Sequence, residues 1–315
     1  MKNAIVTGAS GFVGRWLVNR LIEHGVQVTA IELEGAPGLA LLPKSDLLTV
    51  VFCKSEDAPN LHEMIQGHEF DVFYNLAWVG AGGPKRADYT IQLNNVKLCL
   101  DYYISAQKLG CKKFVAIGTI GQFMAELSIE SNIVSENFIY ALSKSFCERL
   151  LRIQEDGVDC KAVWATLTGL YGVGDSTPNL INYTIKTLLG GVSPTYGSAA
   201  QPFDFIHISD CVEALYLIGF SETQEKSFLI GSGQPRPLKD FLAEIGTIVA
   251  PDVAMGIGAR PDDGTVYKTE WFDTSALQKE TGFAPKFSFA EGIRQTADWQ
   301  RSLQEEGEKN GYHTI

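Results

Sequence analysis

Three glycines in the first fourteen residues constrain this chain more than anything that follows them. A short apolar run ends in the β-branched Ile5 and Val6, and Gly8, Gly11 and Gly14 then punctuate a turn. An apolar helical pattern of Phe12, Trp16, Leu17 and Leu21 opens directly afterwards. A strand, tight turn and helix in that order aim backbone N–H groups and the positive end of a helix at a pyrophosphate. Gly8 allows the turn, Gly11 allows close approach of the ligand, and Gly14 allows the helix to pack on the strand. The spacing is G-x-x-G-x-x-G rather than G-x-G-x-x-G, so the glycines alone are a weak signal. Their place between strand and helix makes a dinucleotide site the expectation, with Ser10, Phe12 and Val13 beside the phosphates. A glycine-rich structural turn without a ligand is the alternative.

The rest of the first half repeats that alternation. Residues 26–31, 47–52, 70–77, 113–117 and 160–165 read as strands, and residues 90–109 and 139–155 as long helices. Short β-branched runs alternating with helical stretches predict an α/β, Rossmann-type, doubly wound parallel sheet. Right-handed crossovers put every strand's C-terminal end on one edge. Thr7, Glu32, Ala77 and Thr119 all fall there, and Leu76 and Ala77 lie at the level of the cofactor. An acid at position 32 accepts hydrogen bonds from ribose hydroxyls and repels a 2′-phosphate, which favours NAD over NADP. Glu34 is close enough to take the same role. From Tyr171 onward the rhythm changes to short strands and turn-rich segments. Residues 1–172 are expected to form the NAD-binding domain, with 204–219 returning to it. Residues 173–203 and 220–305 are expected to form a smaller interleaved substrate-binding lid, and 306–315 a tail.

A net charge of −11 argues against nucleic acid or an anionic membrane as a partner. No apolar run is long enough to span a bilayer, and Met1 leads straight into the first strand without a secretory pattern. Six cysteines lie scattered without a close pair, as in a cytoplasmic protein with free thiols. The five histidines form no cluster, so no metal is expected.

Tyr140 and Lys144 are i,i+4 on one helix and share a face. Free tyrosine titrates near pH 10, so only about one part in a thousand is phenolate at neutral pH. Lowering that by three units takes roughly 4 kcal/mol, and a cation about 4 Å away supplies that order at an effective dielectric of 20. Lys144 with an oxidised nicotinamide can therefore make Tyr140 a base, and Thr119 offers a hydroxyl to hold the reacting oxygen. The chemistry implied is hydride transfer at a secondary alcohol or ketone. On the bland reading Tyr140 is a surface aromatic, Lys144 a solvated helix residue and Thr119 a strand-end cap.

The chain resembles the extended short-chain dehydrogenase/reductase family, in its nucleotide-sugar epimerase and dehydratase branch. The likeness rests on Thr7-Gly8-Ala9-Ser10-Gly11-Phe12-Val13-Gly14, Asn75-Leu76-Ala77, Asn95-Val96, Gly118-Thr119, Tyr140-Ala141-Leu142-Ser143-Lys144, Tyr171-Gly172-Val173-Gly174-Asp175, Phe205-Ile206-His207-Ile208-Ser209-Asp210 and Arg260-Pro261-Asp262. The resemblance implies that Thr119, Tyr140 and Lys144 are catalytic and that Lys144 also binds the nicotinamide ribose. It implies Glu32 at the adenosine ribose and Asn95 steadying sheet and helix behind the site. Arg260 and Asn179 fall near a substrate diphosphate or sugar, Trp78 and Thr168 among other substrate contacts. A homodimer through the helices near 90–109 and 139–155 is likewise implied.

Four departures qualify the likeness. Phe203 stands where the family often has a phosphate-binding arginine, with Lys186 a potential substitute. Lys54 replaces an adenine-binding aspartate, and Gly169, or Thr168 if the alignment slips, replaces an asparagine. Ile120-Gly121 replace the Asp-Glu with which 4,6-dehydratases eliminate water, so a dehydratase is not expected. The expectation is an NAD-dependent 4-epimerase acting on a nucleotide-diphosphate sugar. The alternatives are an NAD(P)H-dependent 4-ketoreductase making a deoxysugar, or a non-catalytic dinucleotide-binding module.

Overall fold

Burial on both faces explains why the strands of the first half are nearly continuous apolar runs. The computed structural model describes residues 2–65, 69–130, 135–136, 138–262 and 264–309. In chain order it forms β1 (Asn3–Thr7), α1 (Phe12–Glu23), β2 (Gln27–Glu32), β3 (Leu48–Phe52), α2 (Leu61–Met64), β4 (Val72–Asn75), α3 (Tyr89–Lys108) and β5 (Lys113–Thr119). There follow α4 (Gly121–Glu130), α5 (Phe138–Gln154), β6 (Lys161–Leu167), β7 (Gly169–Tyr171), α6 (Leu180–Leu189), β8 (Pro202–Phe203) and β9 (Phe205–His207). The chain ends with α7 (Ile208–Phe220), β10 (Ser227–Ile230), β11 (Arg236–Pro237), α8 (Leu238–Val249), α9 (Ser275–Thr281) and α10 (Phe289–Lys309).

Two compact units result. The first comprises residues 1–167, 211–230 and 274–283. Its sheet has seven strands in the order β10-β6-β5-β4-β1-β2-β3, all parallel. Ile5, Phe73, Phe114 and Trp164 fill its core, and the edge strand β3 is half exposed. Buried Lys113 on β5 is spent on structure, because its Nζ donates to Ile218 O and Ser221 O at 2.7 Å each and so ties down the carbonyl end of α7.

The second unit comprises residues 168–210, 231–273 and 284–315. Two small sheets, the parallel pair β7 and β9 and the antiparallel pair β8 and β11, accompany α6, α8 and α10. Tyr171, Ile185, Phe205, Phe241, Leu242 and Ile293 form its core.

The boundaries depart from expectation in four places, one being that residues 274–283 belong to the first unit rather than to the expected substrate-binding part. The first unit ends at Leu167 rather than 172, because Gly169–Tyr171 pair with Phe205–His207 instead of extending the main sheet. The returning piece is 211–230 rather than 204–219. It brings Ser227–Ile230 beside Trp164–Leu167 as the seventh strand, with Phe228 and Ile230 buried. Residues 306–309, read as tail, continue α10, and 310–315 lie outside the described residues.

Candidate active site

The glycine turn behaves as its spacing requires. Gly8 sits at φ +64° with its Cα against Ala77, where an added Cβ would lie 3.0 Å from Ala77 N. A Cβ on Gly14 would stand 2.1 Å from Gly8 O, so α1 rests directly on the turn. Gly11 begins α1 with no side chain capping the first N–H groups, and Phe12 and Val13 form the first turn. Ser10 N–H donates to a carboxylate oxygen of buried Glu32, which fixes the end of β2 against the same turn. Thr7 Oγ1 donates to Asn75 Oδ1 at 2.9 Å and accepts from Ala77 N at 3.2 Å. Gly8, Ser10, Gly11, Gly14, Glu32, Leu76 and Ala77 therefore converge at one edge of the sheet. Lys54 is exposed just beyond β3.

Thr119 ends β5 and Tyr140 lies in the first turn of α5, and the Thr119 hydroxyl lowers the pKa of the phenol. The Thr119 hydroxyl also accepts from Gly121 N at 3.3 Å. Lys144, one turn on, is 4 % exposed and donates to Ile117 O at 2.7 Å. Its ammonium lies 3.4 Å from the centre of the Trp78 ring and 5.9 Å from that of Tyr140. Burial pushes the Tyr140 phenol up to about 12, opposed by the Arg86 charge and by the Thr119 hydroxyl. Burial also pushes Lys144 down to about 7, opposed by Cys147 and Cys99. Lys144 sits on the same face as Tyr140, and a second cation, Arg86, faces the phenol ring with Cζ 4.7 Å from its centre.

Arg86 was not among the residues marked by sequence, and neither was the support beneath it. Asn95 accepts from Val79 N at 2.9 Å and donates to Val79 O at 2.8 Å. Fully buried Gln92 accepts from Trp78 Nε1 at 2.8 Å and donates to Gly80 O and Lys85 O, each at 3.0 Å. Two amides of α3 therefore shape the whole segment from Trp78 to Arg86. A second unmarked residue is buried Gln122 on α4. Its Oε1 accepts from Thr119 N at 2.9 Å and Trp164 Nε1 at 3.2 Å, holding the end of β5 in place.

In the second unit Arg260 donates to Thr195 Oγ1 at 2.6 Å and lines a cavity of about 780 Å³ with Tyr183, Tyr196, Gln201, Asp262 and Tyr267. Neither Asn179 nor Thr168 lines that cavity. Asn179 caps α6 by accepting from Asn182 N at 2.9 Å, and its amide donates to Asp175 at 2.7 Å. Thr168 is buried against the backbone of Gly231. Lys186 is exposed on α6, away from the cavity.

Phe203 and Gly169 turn out to be one packing solution. The Phe203 ring lies 4.9 Å from Phe205, 5.3 Å from Tyr267 and 5.8 Å from Phe272. A Cβ on Gly169 would fall 2.4 Å from Phe205 and 2.6 Å from Phe203. A side chain at 169 and the aromatic cluster exclude one another.

The model of the NAD dependent epimerase/dehydratase family matches residues 4–231. Among curated relatives, a dTDP-4-dehydro-6-deoxyglucose reductase of Escherichia coli is 24 % identical over 259 residues, covering 78 % of this chain and 81 % of that protein. A dTDP-glucose 4,6-dehydratase of Streptomyces niveus is 24 % identical over 315 residues, covering 94 % of this chain and 92 % of that one. Among solved structures, the UDP-N-acetylglucosamine 4-epimerase of Methanobrevibacter ruminantium M1 superposes with a TM-score of 0.76 at 22 % identity, covering 96 % of this chain and 99 % of that one.

Proposed function

The chain belongs to the NAD dependent epimerase/dehydratase family, and from that premise we propose that it is a nucleotide-sugar 4-epimerase. The observation that carries this reading is Tyr140 and Lys144 one turn apart on a buried face of α5, with Thr119 at the end of β5 lowering the phenol's pKa. Family membership makes NAD the cofactor, and the residues present fit it. Gly8 and Gly14 leave a cradle that a Cβ would fill, next to the uncapped N–H groups of α1. Glu32 gives one oxygen to Ser10 N–H, and a carboxylate offers about four acceptor sites, so capacity for ribose hydroxyls remains.

Bound NAD supplies a reversible hydride acceptor and is not consumed over a full turnover. Tyr140 removes the proton of the sugar 4-hydroxyl as that carbon is oxidised, and returns it when the opposite face is reduced. Thr119 holds the reacting oxygen within reach of the phenol. Lys144, anchored on Ile117 O, holds the ribose beside it. Arg260, Asn179, Thr168 and Trp78 are the substrate contacts that the family resemblance implies, Arg260 lining its cavity in the second unit.

Gly121 counts against dehydration. A Cβ there would stand 3.6 Å from Thr119 Oγ1 at ordinary contact distance, so a side chain would address the site, and glycine brings no acid or base. A second reading, an NAD(P)H-dependent 4-ketoreductase, draws on the indole of Trp78 lying against the Lys144 ammonium. It uses the same three residues to supply the proton. Incubation with UDP-, dTDP-, CDP- and GDP-hexoses and their 4-keto derivatives separates the two. Interconversion at C4 without net absorbance change supports the epimerase, and stoichiometric loss of NADH overturns it in favour of the reductase.

The assembly we propose is a homodimer through α3 and α5, supported by Leu93, Phe146 and Ile153 exposed on those helices. No described helix is long and apolar enough to cross a membrane. Six free buried thiols support a reducing, cytoplasmic setting.

A further inference from the structure

We propose that Arg86 is a positioning residue for catalysis, the cation whose field stabilises the Tyr140 phenolate. This rests on Tyr140 being the proton carrier and adds a group that the Thr, Tyr and Lys motif does not contain. The guanidinium carbon lies 4.7 Å from the centre of the Tyr140 ring, nearer than the Lys144 ammonium at 5.9 Å. Lys144 is turned to Ile117 O and to the Trp78 ring. Burial pushes Lys144 down to about 7, whereas a guanidinium keeps its charge at any working pH. Arg86 makes no ion pair with a carboxylate among the described residues, so its field is not spent on a neighbour.

The placement is built into the fold. Arg86 lies in a single 3-10 turn, Pro84–Ala87, closed by its own N–H to Gly83 O at 3.1 Å. Gln92 holds the turn itself at Lys85 O and the segment before it at Gly80 O, and Asn95 holds that segment at Val79. The groups facing Tyr140 are Arg86 from this turn, Thr119 from β5, and Lys144 from its own helix. Cys99 and Cys147 stand behind Lys144. Among these, Arg86 is the charge nearest the centre of the phenol ring, and the field of a cation at this range moves an ionisation by about one to two pH units.

The test compares wild type, Arg86→Gln and Arg86→Lys, each loaded with NAD⁺. Tyrosinate absorbance is titrated in the near ultraviolet, with Tyr140→Phe subtracted to isolate one phenol. Arg86→Gln is expected to raise that ionisation by about one unit or more, and Arg86→Lys to recover part of it. With a turned-over sugar in hand, the acid limb of kcat/KM moves up by the same amount. Activity then falls about tenfold per unit below the limb and recovers at high pH. Superimposable titrations overturn the proposal, whatever happens to activity. So does a raised KM with an unmoved limb, which makes Arg86 a contact for an anionic group of the substrate. If no nucleotide sugar turns over, the epimerase reading fails while the absorbance titration still decides on Arg86.

Discussion

The two units use the same kind of motif in opposite ways. In the first, each marked residue stands where backbone geometry demands it: a glycine at φ +64°, another with α1 resting on its Cα, a threonine whose hydroxyl lowers the pKa of a tyrosine. In the second, the polar positions expected to meet a diphosphate are replaced or diverted. Phe203 joins an aromatic cluster, Gly169 yields to it, and Asn179 caps a helix. The first unit is constrained by chemistry common to every dinucleotide site, so fold and cofactor follow from it; under the proposed function, the choice of sugar and base falls to the second.

The largest expected effect lies in the first unit. Tyr140→Phe removes the hydroxyl proposed to carry the proton and keeps the ring, so kcat should fall at least about 1,000-fold. NAD affinity, followed by quenching of tryptophan fluorescence, should change less than about threefold, because the phenol contributes little to dinucleotide affinity. A parallel loss of affinity would mean that Tyr140 is a binding residue. Next comes Gly14→Ala, whose new Cβ meets Gly8 O at 2.1 Å. Helix and turn must separate, at a cost of about 3 kcal/mol read from chemical denaturation, with loss of NAD retention. An unchanged midpoint would show that the turn is loose and the comparison between units overstated.

Much of the first unit was legible because its signals are local. Glycine spacing, β-branched runs and the i,i+4 pair each occupy a few consecutive residues. Three features escaped for physical reasons. The helix α4 begins with Gly121 directly after a strand, so Gly118-Thr119-Ile120-Gly121 reads as strand run-off. Residues 228–230 read as a short strand, but that β10 pairs with β6 as the seventh strand of the main sheet is something no period in the sequence reveals. Arg86 sits in an irregular turn whose shape is set by two amides on a helix further along the chain. In the second unit β9 reads as a short strand, whereas β7 and β8, of three and two residues, are too short to carry alternation.

Acid should distinguish the units next. His207 is buried in the second unit, its Nδ1 accepts from Ser209 N at 3.4 Å, and burial pushes it down to about 4. The unfolded chain, titrating near 6.5, binds the extra proton first, so stability rises with pH between about 4 and 6.5 and is lost as pH falls through that window. The loss should be on the order of 2–3 kcal/mol. Hydrogen exchange should show α6 and α8 opening while the seven-stranded sheet holds. His207→Asn, which keeps an acceptor without titrating there, should flatten the dependence.

The smallest effect tests the aromatic cluster itself. Phe203 is half buried, so Phe203→Ala should cost about 1–2 kcal/mol, below the range for a fully buried phenylalanine. The ring also occupies the space that a side chain at 169 would need. Gly169→Asn alone should therefore destabilise the second unit, whereas Gly169→Asn with Phe203→Ala should recover part of the loss. A double-mutant cycle measures that coupling, expected at 0.5 kcal/mol or more in about the range for residues in contact. Strict additivity would mean that the two positions depart from the family independently, and that the second unit is no more a single packing solution than the first.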